Sequence, residues 1–207
     1  DTVLFNPARA AATQFRQEIG AGRDDILIGL LARLDPVKGH EYAIAAITAL
    51  KNLPISFKLI AAGYENERTF AWLRALAAEN GVEDHLVCLG LRQDLPDVLA
   101  AIDIGLITSV GSEANSRAAL EFMASGKPVI GTSVGVIPEI VHHEEHGLIV
   151  QPRNASETAR ALEKLAVNPM LRARMGRAAR QSVEENFSLP KFGKVMEGVY
   201  QKLLTRV

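Results

Sequence analysis

Much that marks specialised proteins is missing from this sequence. It has one cysteine, Cys88, so no disulfide can form within the chain. That residue lies in the apolar run "HLVCLGL", where a buried structural thiol in a reducing compartment is expected. Aromatic residues make up only 5%, and the lone Trp72, in "FAWLRAL", suits helix packing. Neither sign of charge dominates. A formal net charge of -1 gives no support to nucleic-acid binding, which needs a basic surface. No apolar run approaches the ~20 residues that cross a bilayer. The opening, "DTVLFNPARAAATQF", has no initiating Met and no signal-peptide pattern, and reads as the interior of a longer protein, an excised domain.

Familiar site motifs are missing too. No G-x-G-x-x-G follows the first strand candidate, and "GTSVG" is too short for a dinucleotide fingerprint. "HHEEH" at 142–146 is not H-E-x-x-H, and Gly147 follows it at once, so no metal is expected. Arg172, Arg174, Arg177 and Arg180 are spread around a helix by their spacing, as on a solvated face.

What is present is an ordinary globular composition, 48% hydrophobic and 23% charged, read as one domain over residues 1–207. Strand candidates are 26–34, 56–63, 85–91, 104–110, 128–133 and 147–152. They are nearly continuous apolar runs, as in strands buried on both faces of a parallel sheet. Helical segments near 40–51, 66–80, 95–102, 116–125 and 136–142 alternate with them. Such alternation predicts right-handed βαβ units and a Rossmann-like, doubly wound α/β sheet of six strands. After residue 152 three helices follow. The first is capped by Asn154 or Ser156, and the last starts at Pro190.

Ligands of open α/β sheets bind beyond the carboxyl ends of the strands. There "RLDPVKG" places Arg33 and Lys38 beside a helix start, which makes an anion site suited to a diphosphate. The plainer reading is two solvated loop charges. "GSEANSRAALEFMASG" holds Glu113 in a polar loop and Glu121 in a helix started by Ser116 and ended at Gly126. Arg117, Glu121 and Ser125 form a narrow polar stripe, so an Arg117–Glu121 pair is the plain account of Glu121. A ligand's paired hydroxyls are the other, since a carboxylate accepts two hydrogen bonds. Eight residues of helix rise about 12 Å, too far for the paired carboxyls of a glycosidase. An extended ligand such as a nucleotide sugar fits that separation better.

The E-x7-E spacing, with "MASGKPVIGTSVGVIPEIV" after it, resembles the signature of retaining glycosyltransferases of the GT-B fold, the large group 1 family. "LLARLDPVKG" resembles their first donor-domain loop, and "HGLIVQPRNASETARAL" their last strand and following helix. The resemblance covers nearly the whole chain and implies one half of a GT-B fold, the nucleotide-sugar-binding half. Helix 189–207 would then pack toward an absent N-terminal acceptor domain. The resemblance assigns Arg33 and Lys38 to the donor diphosphate, Glu113 to the sugar near its reacting carbon and Glu121 to the ribose hydroxyls. The backbone N–H groups of Asn115 and Ser116 would meet phosphate, and Leu91 and Arg92 would lodge the base. It further implies transfer with retained anomeric configuration, no metal, no cofactor beyond the nucleotide-diphospho-sugar donor, and an unknown lipid, polysaccharide or small-molecule acceptor. The setting would be the cytoplasm, with room for peripheral contact at a membrane's inner face. The chain departs from the family pattern at Ala114–Asn115–Ser116, where Gly-Phe-Gly is common, and at Ala32 and Val136, where glycine is usual.

Two rival readings stand beside this one. An epimerase or a phosphorylase could use the same architecture, but a phosphorylase needs a pyridoxal-phosphate lysine that no motif marks. A non-enzymatic α/β binding or signalling module is the other. A receiver-like domain would cluster acids after its first strand, where "ARLDPVKG" offers only Asp35.

Overall fold

The computed structural model describes residues 1–204. Six strands, β1 (Ile26–Leu31), β2 (Phe57–Ala62), β3 (Leu86–Leu89), β4 (Ile104–Ile107), β5 (Val129–Thr132) and β6 (Gly147–Val150), form one parallel sheet in the order 3-2-1-4-5-6. The helices are α1 (Ala12–Glu18), α2 (His40–Leu50), α3 (Phe70–Glu79), α4 (Leu95–Ala101), α5 (Arg117–Ala124), α6 (Ile137–Ile140), α7 (Ala155–Ala166), α8 (Pro169–Asn186) and α9 (Leu189–Leu204). This is the expected doubly wound layering. The strand order reverses direction between β1 and β4, so the loops leaving those two strands diverge and open a crevice.

The sheet is apolar on both faces because both are covered. On one side Ile26, Ile28 and Leu30 of β1 pack with α2 and α7; on the other Leu27 joins a core with α4 and α5. The strands end two or three residues short of most apolar runs, because the chain turns away at the rim. After β1 only Leu34 still bridges, to Glu65. The third helix starts at Phe70 rather than 66 because the Thr69 side chain caps it, accepting from Trp72 N at 3.1 Å. Asn154, not Ser156, caps α7, accepting from Glu157 N at 3.0 Å. The segment 136–142 contains a single helical turn, and α1 was not foreseen. Cys88 is half-buried on β3, and burial pushes its thiol up, away from the reactive thiolate.

Helix α5 approaches the sheet closely. A Cβ on Gly105 would sit 2.5 Å from the Phe122 ring, and one on Gly29 2.8 Å from it. Those two glycines on neighbouring strands make the seat for Phe122. The helix stops at Gly126, whose φ of 70° lets Lys127 N reach Phe122 O at 3.0 Å and Gly126 N reach Met123 O at 2.9 Å.

Among the described residues, no helix is long and apolar enough to cross a membrane. Helix α9 carries exposed Leu189, Phe192, Val195, Val199 and Leu203 at spacings of three and four, so one apolar face lies open. The expected helix 189–207 runs past this span, and its last three residues lie outside the described residues.

Filling the α5 seat tests the packing. Gly105→Val should lower stability by about 1–3 kcal/mol in denaturant unfolding, because Phe122 is fully buried and cannot swing aside. An unchanged midpoint would contradict the close approach.

Candidate functional site

Two recesses meet at the crevice between β1 and β4. The outer one, about 300 Å³, is lined by Arg33, Tyr64, Leu91, Arg92 and Glu121, among others. The inner one, about 180 Å³, is lined by Lys38, Ser109, Glu113 and Ser116, among others. Leu31, Ala32, Arg117 and Ala118 belong to both, so the recesses share a wall. The four charged residues singled out by sequence are therefore divided, Arg33 with Glu121 and Lys38 with Glu113, on either side of that wall.

The inner recess is built on an ion pair. Lys38 Nζ donates to Glu113 Oε1, which also accepts from Ser109 Oγ at 2.5 Å. Glu113 is buried, and its loop is braced from β5: Thr132 Oγ1 donates to Ser109 O at 2.6 Å, and Val136 N to Glu113 O at 2.9 Å. Gly135 makes that brace possible, since a Cβ there would lie 2.1 Å from Glu113 O and its φ is 53°. Ser112 and Ser116 flank Glu113 with positive φ, 53° and 39°, a conformation that costs of order 1–3 kcal/mol per residue and marks functional loops. Ser116 Oγ is buried without a partner among the described residues, and Ser116 lines the inner recess. Asn115 is exposed and lines neither recess.

The outer recess carries Arg33, held by Asp35 at 2.9 Å; the Tyr64 phenol and then Asp35 raise the guanidinium above its ordinary pKa. Asp35 itself caps the turn Pro36–Lys38, accepting from Val37 N at 3.1 Å, and that bond leads in holding its carboxyl low. Arg92 is tied to Asp94 and to Glu18, each at 2.6 Å. Glu18 comes from α1, a helix the sequence reading missed. Leu91 is 81% exposed on the rim. Glu121 pairs with Arg117 at 3.2 Å, as the stripe implied, and burial pushes its carboxyl up while Arg117 opposes the shift. His40, the first residue of α2, is buried, and burial drives it down to about 4, so it is neutral at pH 7.

Sequence reasoning did not single out Ser109, Tyr64 or Arg117 as lining residues. The signal of Ser109 and Tyr64 is only their place in loops that leave the strand ends; that of Arg117 is its helical spacing to Glu121. His142, Glu145 and His146 bring their ligand atoms within 4.8 Å of one another, but before β6, at the opposite end of the sheet.

The model of the family "Glycosyl transferases group 1" matches residues 12–182. The chain belongs to that family. An uncharacterized glycosyltransferase of Methanocaldococcus jannaschii is 32% identical over 90% of the chain and 47% of its own length. The chain spans about half the length of the curated relatives it matches. Anabaena Alr3699/HepE, solved in complex with UDP, matches with a TM-score of 0.90 at 23% identity, over 98% of this chain and 55% of that one. The C-terminal domain of a group 1 family protein (LpcC) from Francisella tularensis matches at 0.78 and 26%, over 91% of this chain and 98% of that one. The group 1 chain thus has the Rossmann-like half of the GT-B architecture.

The inner ion pair yields a direct test. In Lys38→Met, Glu113 stays buried without its cation, and stability should fall by about 3 kcal/mol. Adding Glu113→Gln should recover part of that loss, because the orphaned charge is gone. Zero coupling in chemical denaturation would contradict the pair.

Proposed function

We propose that this domain is the donor-binding half of a retaining glycosyltransferase. It holds a nucleotide-diphospho-sugar in the joined recesses and presents it to an acceptor without a metal. The observation that carries this is the shared wall: both glutamates of the E-x7-E spacing, each beside a cation, face one crevice at the sheet's carboxyl rim. The two recesses end to end suit a long ligand with a charged middle. HepE, which shares the fold, was solved with UDP and with UDP-glucose, and this supports a nucleotide donor here.

In this reading the outer recess takes the base and ribose. Leu91 and Arg92 border the base, and Glu121 accepts from the ribose hydroxyls. The diphosphate crosses the shared wall to Arg33, Lys38 and the N–H groups at the start of α5, with the unpartnered Ser116 hydroxyl within reach of it. The sugar lies in the inner recess over Glu113. Departure of the nucleoside diphosphate leaves negative charge on phosphate oxygens. Fixed cations and helix N–H groups stabilise that charge as it develops, the service a metal performs elsewhere. Lys38 then has two tasks, to neutralise Glu113 in the empty site and to meet phosphate in the filled one. Retention then follows a front-face route, in which the acceptor attacks from the side the nucleoside diphosphate leaves and the departing phosphate accepts the acceptor's proton.

The acceptor's contacts belong to a second domain. The open apolar face of α9 supports a covering partner, and the missing half of the family's length is the partner proposed. The chain alone should bind donor and not transfer sugar.

A thermal-shift screen with UDP, GDP, ADP and inorganic phosphate tests the reading. One nucleoside diphosphate should stabilise the chain, and Glu121→Ala should weaken its binding by about 1.5–3 kcal/mol, the worth of charged hydrogen bonds to hydroxyls. Equal affinity in that variant would remove the ribose role, and no shift with any nucleotide would remove the donor role.

A further inference from the structure

Four cations edge the two recesses, and each faces a carboxylate. Arg33 has Asp35, Lys38 has Glu113, Arg92 has both Asp94 and Glu18, and Arg117 has Glu121. An entering phosphate therefore meets no surplus positive charge until one of these pairs opens. The pairs differ in how firmly they are held. Lys38 is mostly buried, and the Glu113 that holds it is fixed by Ser109 as well. Arg33 is held at 2.9 Å to an Asp35 that also caps its own turn. Arg92 bonds two carboxylates and lies over the Phe15 ring.

Arg117 is the loosest. Its side chain is 85% exposed, and among the described residues it makes a single bond, 3.2 Å from Nη2 to Glu121 Oε1. Exposed pairs at this spacing on a helix are weak and easily exchanged. Its position is also special. As the first residue of α5 it stands where helix N–H groups are free, and it lines the outer and the inner recess alike. A guanidinium presents parallel N–H donors that suit two oxygens of one phosphate. Glu121, by contrast, keeps only 16% of its side chain exposed on the recess wall and has no other bonded partner among the described residues.

We propose that Arg117 is an anion-binding residue that changes partner when the ligand enters. Its guanidinium leaves Glu121 and takes a phosphate of the nucleoside diphosphate, and the vacated Glu121 carboxylate accepts from the ligand's hydroxyl pair. The cation that satisfies Glu121 in the empty site is thus the one that reads charge in the filled site. This rests on the nucleotide-sugar reading above. It adds a third cationic side chain to Arg33 and Lys38, beside the N–H groups of the α5 terminus, in holding phosphate, and makes the outer recess discriminate diphosphate from uncharged nucleoside.

Calorimetric titration of the intact chain tests it, using whichever of UDP, GDP and ADP stabilises the wild type, with the matching nucleoside as the uncharged control. Arg117→Gln should weaken the diphosphate about tenfold or more and leave the nucleoside equal or tighter, since Glu121 is no longer bridged. Arg117→Lys should restore part of the loss. Ligand-free melting of both variants checks that this exposed position leaves the fold intact. Equal weakening of diphosphate and nucleoside would show that Arg117 acts only by holding Glu121, and overturns the proposal. Unchanged diphosphate affinity overturns it as well, with the donor reading intact. If the wild type binds no nucleotide, the donor reading fails and this proposal with it.

Discussion

A buried ion pair ties the loop after β1 to the loop after β4 at the carboxyl rim of the sheet. Lys38 leaves the loop after β1, Glu113 the loop after β4, and these strands are neighbours whose following helices depart to opposite faces. Two hydrogen bonds join the same loops, Val110 N to Val37 O at 2.9 Å and Thr108 Oγ1 to Lys38 O at 3.0 Å. A buried carboxylate there needs its cation, and the cation needs a loop held in place, so the bond fixes both walls at once. Everything near it follows. Ser109 adds a second bond to Glu113, Thr132 and Val136 brace the loop from β5, and Gly135 leaves room for the brace.

The position of α5 depends on a second constraint, the seat that Gly29 and Gly105 offer to Phe122. Without side chains there, the helix comes down onto the switch point of the sheet, and its first turn and Glu121 reach the outer recess. The E-x7-E spacing is then a consequence of geometry. One glutamate precedes the helix and the other lies about one turn into it on the wall of the outer recess, so they line adjoining recesses rather than a common one. Membership of the group 1 family fits this arrangement, as does the shared sheet of structures that match half of a longer chain.

The fold was legible because a parallel sheet buried on both faces leaves apolar runs that polar loops interrupt. All six strands and the helices after residue 40 could be placed from that alone. What was missed had weaker signals. Helix α1, with only Phe15 buried, has no apolar stripe to announce it, yet it supplies Glu18 to Arg92. At the site, the residue types and their loops were legible, since charged groups at strand ends are few. Their pairing was not. Nothing in spacing says that Lys38 holds Glu113, 75 positions away, or that Arg92 is committed to two carboxylates. Arg117 was visible as a stripe partner of Glu121, but only the packing of α5 places it on the wall between the recesses.

One crevice serves one ligand. The most direct measurement is an amide-resolved NMR titration of the isotopically labelled chain with UDP, GDP and ADP. One of them should shift residues 33–39, 90–92 and 112–121 together, with one dissociation constant. Shifts confined to only one of those segments, or gathered at the opposite end of the sheet around 142–146, would contradict it.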